Sequence, residues 1–239
     1  MRIIRKIIFY FIILFFVSSF SFTLLYRYVP VYVSPLMVIR YIQRSTDDKE
    51  AHLYHSWTSL NEISPHLSTA VMASEDQRFL EHNGFDTKAI KQAADEYLSG
   101  KRRRGASTIS QQTAKNVFLW PNSSWLRKGL EAYFTVLIEL LWSKERIMEI
   151  YLNTIEMGDG IYGAQAVATQ NFDVNASELN KRQCALIAAT LPNPIKFNSA
   201  KPTAYLRKRQ RQILRQMPYI ESVKAKYNFN PNDSDKPSK

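Results

Sequence analysis

The chain has 239 residues, 45% of them hydrophobic and 22% charged. That balance excludes a largely disordered protein and leaves room for one substantial domain with accessory segments. The formal net charge of +11 calls for an anionic partner (nucleic acid, an anionic membrane surface or a phosphorylated substrate), while a single cysteine, Cys184, excludes an internal disulfide framework.

Arg2, Arg5 and Lys6 open the chain, and residues 7–26, IIFYFIILFFVSSFSFTLLY, follow without a charge. At ~1.5 Å per residue, such a run is long enough to cross a hydrocarbon core of about 30 Å. The preceding cations predict a cytoplasmic N-terminus and an exported remainder. Ser19-Phe20-Ser21 resembles a poor signal-peptide cleavage site, but the apolar run continues beyond it, which favours a retained anchor. Export leaves membrane lipid or a phosphorylated substrate as the anionic partner, and no nucleic acid.

Residues 28–50 carry two prolines and an apolar helical patch from Leu36 to Ile42. The patch suits either a bilayer surface or lipid channel, or a linker helix packed on the domain. The expected organisation is a stub and membrane helix at 1–27, a juxtamembrane segment at 28–60, the main domain at 61–220 and a disordered tail at 221–239. Only seven glycines occur, and the long stretches between them have helical spacing, so the fold class is mainly α.

Ser64-Pro65 reads as a helix start. Leu67, Val71 and Glu75 then follow at i, i+4 and i+8, so Glu75 projects from an apolar face. Burial there raises the pKa of a carboxyl toward a value useful for proton transfer. Phe79 and His82 continue that face, and Asn83-Gly84 supplies a left-handed stop. Alone, the stretch supports only a candidate acid or base.

A basic loop follows, KRRRGASTISQQTAKN at 101–116. Gly105, Ser107, Thr108 and Ser110 allow close backbone approach to a ligand. Gln111 and Gln112 suit sugar hydroxyls, and Lys115 adds a point charge. Arg127 and Lys128 form a second cationic cluster, with Glu131 at i+4 from Arg127; two such clusters suit a pyrophosphate. Residues 143–153, SKERIMEIYLN, form a helix capped by Ser143, with Glu149 beside its apolar stripe. GDGIYG at 158–163 reads as a structural turn. Further helices are expected over 177–191 and 203–217, the latter with a basic face that is either solvated or set against anionic lipid. No metal-ligand spacing occurs among the four histidines.

In order, EDQRFLEHNGFD (75–86), GASTISQQTAKN (105–116), RKGLE (127–131), KERIMEIYLN (144–153) and ALIAATLPNP (185–194), trailed by RQRQILRQM (209–217), resemble the motif set of the peptidoglycan glycosyltransferases of bacterial cell-wall synthesis. That resemblance implies a lysozyme-like glycosyltransferase domain behind a single transmembrane helix, held at the bacterial inner membrane. The chain has no Ser-x-x-Lys, so it is similar to the monofunctional members without transpeptidase activity, and RYVPVYVSP is similar to the anchor region of Gram-negative ones.

The resemblance implies lipid II and the growing glycan strand as substrates, membrane lipids as surroundings, and cell-division or elongation proteins as further partners. Glu75 would be the catalytic base. Glu149 would be a second carboxylate at the leaving group or a metal, or else a structural tie to Arg127 or Lys144. Ser107, Thr108, Gln111, Gln112, Lys115, Asn116, Arg127 and Lys128 would bind substrate, while Asp76, Phe79, His82 and Gly84 would frame Glu75. No cofactor is obligatory, though a divalent cation, Mg2+ or Mn2+, is compatible with the pyrophosphate. Members often carry an arginine just before the third motif, at the position of Ser123 here; Lys115, Arg127 or Lys128 would then carry more of the leaving group's charge. A glycan-cutting lytic enzyme and a non-enzymatic membrane scaffold are the rival readings, and neither needs this cationic site beside a carboxylate.

Overall fold

The computed structural model describes residues 2–46, 51–99 and 107–233. Lys101 to Gly105 of the basic loop, and the last six residues of the tail, lie outside the described residues. The architecture is mainly α. The helices are α1 (Arg2–Tyr26), α2 (Pro35–Thr46), α3 (Pro65–Glu75), α4 (Thr87–Leu98), α5 (Ile109–Phe118), α6 (Trp125–Leu141), α7 (Lys144–Thr154), α8 (Ala164–Phe172), α9 (Lys181–Thr190) and α10 (Ala204–Lys226). Strands β1 (Tyr54–His55), β2 (Glu156–Gly158) and β3 (Ile161–Tyr162) form a small sheet in the order β1-β3-β2.

α3 is the centre of the domain. Pro65 sits at its first turn, where a missing N–H costs nothing, and every residue from Leu67 to Ala73 is buried. A helix apolar or small all round needs cover on every side. α9 supplies part of it with CALIAAT, buried throughout, and α10 packs against both. The other half of the core joins α5 to α6 and α7, with Phe118 stacked on Phe134 at 4.3 Å between ring centroids.

GDGIYG proves to be the bend of the β2–β3 hairpin. Gly160 has φ +70°, and a Cβ there would lie 2.4 Å from the His52 carbonyl oxygen, so only glycine fits. The last helix and the tail also differ from expectation. α10 runs through Pro218 to Lys226 because Leu206, Ile213, Met217, Ile220 and Val223 continue one buried stripe. Phe229 then buries in the core, with Lys224 Nζ 5.1 Å from its ring centroid. The tail through Asp233 is therefore held by apolar burial that its polar composition concealed.

α1 is long and apolar enough to cross a membrane, yet its second half is docked on the domain. Ser19 Oγ lies 2.7 Å from the Tyr133 hydroxyl, and Trp142 Nε1 donates to the Thr23 carbonyl at 2.8 Å. Arg146 donates to the carbonyls of Tyr26 and Val29, each at 2.8 Å, and so satisfies acceptors that the end of α1 leaves open.

α2 packs one face of the juxtamembrane patch on the domain. Leu36 and Met37 are buried against Tyr162, whereas Val38, Tyr41 and Ile42 remain exposed.

Candidate active site

Glu75 is the last residue of α3, partly exposed, with Gln112 of α5 and Arg209 of α10 as neighbours. Ser74 Oγ donates to its Oε1 at 3.1 Å, and Gln112 Nε2 donates to its Oε2 at 3.1 Å. Tyr151 hydroxyl donates to Gln112 Oε1 at 3.3 Å, which turns the amide so that its NH2 faces Glu75. Burial raises the Glu75 pKa above the ordinary carboxyl value; the bonds from Gln112 and Ser74 and the charge of Arg209 oppose that rise. The Tyr151 phenol is pushed well above its usual value, chiefly by burial, so it stays a donor. The result is a carboxylate with increased proton affinity, held by neutral donors and still partly exposed.

The next residues frame it. Asp76 turns away from Glu75 and accepts from His82 Nε2 at 3.0 and 3.1 Å. Its Oδ2 also accepts from the Ile109 backbone N–H at 3.1 Å, at the positive end of α5. Thr108 Oγ1 donates to the Gly84 carbonyl at 2.6 Å. Gly84 has φ +86°, and a Cβ there would meet Thr135 Cγ2 at 2.7 Å, so the chain passes tight against α6. Phe79 is fully buried, with Lys144 Nζ 4.6 Å from its ring centroid. These contacts tie the stretch carrying Glu75 to the start of α5.

α5 extends the site away from Glu75. Gln112 and Lys115 keep some exposure, one turn apart, while Ile109, Ser110, Gln111, Thr113 and Ala114 are buried around them. Lys115 therefore follows Gln112 along the open face of the helix. Burial lowers its pKa; Glu131 opposes that effect and Arg127 and Lys128 add to it, so these groups stand together. Arg127 Nη1 pairs with Glu131 at 2.8 Å, and Lys128 pairs with the other oxygen of Glu131. One carboxylate faces three cations, which leaves a positive excess. Asn116 Nδ2 and Arg127 Nε are buried with no hydrogen-bond partner among the described residues.

Several expected ligands are already occupied. Thr108 and Gln111 form the capping box of α5: Thr108 Oγ1 accepts from the Gln111 N–H, and Gln111 Oε1 accepts from the Thr108 N–H. Both are buried, so they shape the helix start and do not present free groups to a ligand. Ser107, just before them, is exposed, as is Ser123.

Glu149 is 3% exposed; one oxygen pairs with Arg146 and the other accepts from the Leu60 N–H at 2.9 Å. Its partner is thus Arg146, not Arg127 or Lys144; one oxygen holds the guanidinium that reaches the end of α1, and the other holds the Leu60 segment that precedes α3. A role at the leaving group is not what this setting supports. Asp76, His82 and Asp86 bring three possible metal-ligating groups together, but Asp76 and His82 bind each other and Asp86 accepts from Arg78 at 2.6 Å.

Sequence reasoning missed Ser74, Tyr151 and Arg209. Arg209 Nη2 donates to the Ser74 carbonyl at 3.3 Å. A signal was present: Arg209 lies three residues after Leu206 and four before Ile213, on the buried stripe of α10 and not on its solvated side. Tyr151 buries its ring in the core and presents its hydroxyl to Gln112.

The model of the transglycosylase family matches residues 42–218. The chain belongs to that family. It is 63% identical over 217 residues to the biosynthetic peptidoglycan transglycosylase of Bacteroides thetaiotaomicron, covering 90% of this chain and 88% of that relative. The enzyme of the same name from Bdellovibrio bacteriovorus is 53% identical over 88% of this chain and 84% of the relative. That from Caulobacter vibrioides is 51% identical over 80% of each. The matched span of the family model holds every residue described at the site, from Ser74 to Arg209.

Proposed function

We propose that this peptidoglycan glycosyltransferase polymerises lipid II into glycan strands. Glu75 accepts the proton from the 4-hydroxyl of the acceptor's GlcNAc as that oxygen attacks C1 of the donor's MurNAc. The C1–O bond to the pyrophosphate breaks with inversion, and undecaprenyl pyrophosphate leaves with the bonding pair. The attack passes through an oxocarbenium-like transition state, as glycoside hydrolysis does. Lys115, Arg127 and Lys128 stabilise the charge that develops on the departing oxygens. Gln112, Ser74 and Tyr151 hold Glu75 aimed, so reorganisation during proton transfer is small.

One observation carries this reading: Gln112 on the open face of α5 holds the Glu75 carboxylate, and Lys115 one turn further on faces α6, where Arg127 and Lys128 share the single carboxylate of Glu131. A glycan-cutting enzyme needs the first and not the second. The cationic end makes a poor metal cage, because Glu131 offers its carboxylate to Arg127 and Lys128 already. A divalent cation would therefore arrive on the pyrophosphate and be held by its oxygens.

We place α1 across the inner membrane with Arg2, Arg5 and Lys6 on the cytoplasmic side. Docking of α1 on α6 supports a domain seated low on the bilayer, since Trp125, Leu126 and Leu140 of α6 are 94%, 69% and 67% exposed. Lipid II then meets the cleft without leaving the membrane surface.

The deciding experiment gives the purified full-length protein lipid II and, separately, finished glycan, with and without divalent metal. Polymer from lipid II, abolished by Glu75→Gln, is the expected result. Cleavage of finished glycan without polymerisation would overturn the proposal.

A further inference from the structure

On α2, Leu36, Met37, Arg40 and Arg44 fall at i, i+1, i+4 and i+8, which is one face of the helix. Both ends of that face are fixed to the domain. Leu36 and Met37 cluster with Tyr162, while Arg44 pairs with Glu156 and, at 2.7 Å, with Asp159. Arg40 lies between these anchor points, on a helix that packs against α5. Its Nε is buried and has no hydrogen-bond partner, and among the described residues it forms no ion pair.

A buried guanidinium donor left empty is costly, and the cost is relieved when a ligand brings an acceptor. Arg127 Nε and Asn116 Nδ2 are empty in the same way. The three groups sit on helices packed in the order α2, α5, α6. Arg40 also stands close enough to Lys115 to weaken that lysine's hold on its proton, alongside Arg127 and Lys128. The acid of that cation cluster, Glu131, is already shared by Arg127 and Lys128.

We propose that Arg40 is a pyrophosphate ligand, delivered to the cation cluster by the juxtamembrane helix. The inference rests on the lipid II reading above and deepens it. Arg40 takes up the charge that Ser123 does not provide, and its planar fork suits two phosphate oxygens better than a lysine would. The anion site is then completed by the segment that leaves the membrane, so docking of α2 and capture of the leaving group are coupled.

The test uses full-length protein in detergent micelles, titrated with undecaprenyl pyrophosphate, undecaprenyl phosphate and undecaprenol. Wild type should prefer the pyrophosphate. Arg40→Gln should weaken pyrophosphate binding about tenfold, the scale of one lost charge-assisted hydrogen bond, while leaving undecaprenol binding unchanged. Arg40→Lys should recover part of the loss, and Lys88→Gln on α4 should change nothing. Ser123→Arg should restore binding in the Arg40→Gln background and add threefold or less to wild type, because the two arginines serve the same oxygens.

Wild-type affinity in Arg40→Gln, or an equal loss toward undecaprenol, would overturn the inference and leave the polymerase reading standing. A wild type with no preference for the pyrophosphate would overturn both. If Arg40→Gln does not fold, Ser123→Arg in wild type decides: a gain of threefold or less supports the inference, and a gain of about tenfold overturns it.

Discussion

The two ends of α5's open face are built on opposite rules. At the Glu75 end, the carboxylate oxygens and the Gln112 amide all have protein partners, and the donors around them are neutral side chains. At the Lys115 end, cations outnumber their carboxylate, and Arg127 Nε and Asn116 Nδ2 have no partner among the described residues. The first end is complete without substrate, as a base must be if it is to be aimed before reaction. The second is incomplete, as a site must be if a pyrophosphate is to complete it. In the proposed mechanism, satisfied polar groups belong to the part that acts and unsatisfied ones to the part that takes a ligand.

The most severe way to break that division is Glu75→Gln, which should lower lipid II polymerisation by about a thousandfold, within the range of a lost general base. Thermal melting should not fall, because a carboxyl whose pKa is raised on folding destabilises the fold when ionised. Polymer formation near the wild-type rate would remove Glu75 from the mechanism. Lys115→Met should cost about a hundredfold, in keeping with loss of one electrostatic contact to the transition state. Unlike Glu75→Gln, it should also weaken binding of undecaprenyl pyrophosphate. Equal binding by both variants would erase the proposed difference between the ends.

Tyr151→Phe sharpens the comparison within the Glu75 end. It frees the Gln112 amide to turn, and should reduce turnover by up to about tenfold without changing pyrophosphate affinity. The pH–rate profile gives an independent view: the base works ionised, so activity should fall as the pH drops through the raised pKa of Glu75. Removing the bond from Gln112, which opposes the rise, by Gln112→Leu should move that acid limb to higher pH. A limb that stays in place, or moves to lower pH, would contradict the assignment.

The smallest effect concerns stability far from the cleft. Lys224 donates to Ser68 Oγ at 3.0 Å, and burial lowers its pKa to about 8. Between that value and the ordinary 10.5, the unfolded chain binds a proton that the folded one does not, so this group makes stability rise with pH across that window. Melting curves of wild type and Lys224→Met from pH 8 to 10 should show a less positive slope in the variant.

Much of the cleft was legible because its parts are local. Helical spacing alone put Glu75 on an apolar face, and the Glu75 carboxyl does carry a raised pKa from burial. The Arg127–Glu131 pair follows from their separation of four residues. What spacing could not reveal was which polar groups would be consumed by the fold. Thr108 and Gln111 look like sugar ligands in sequence but close a capping box. Glu149 looks like a second catalytic carboxylate but pairs with Arg146, whose guanidinium holds the carbonyls at the end of α1. The tail looked disordered because the burial of Phe229 depends on a surface made by other segments.

By itself, then, the sequence determined the helices, the membrane-length apolar run, the carboxylate on an apolar face and the positive charge, because each depends on residues within a few turns of one another. The tertiary structure decided which of those charges remain free. Arg40 and Lys115 are separated by many turns of chain, and only the packing of α2 on α5 makes them neighbours. A side chain's chemistry is written in its own position, but its availability is set by whatever folds against it.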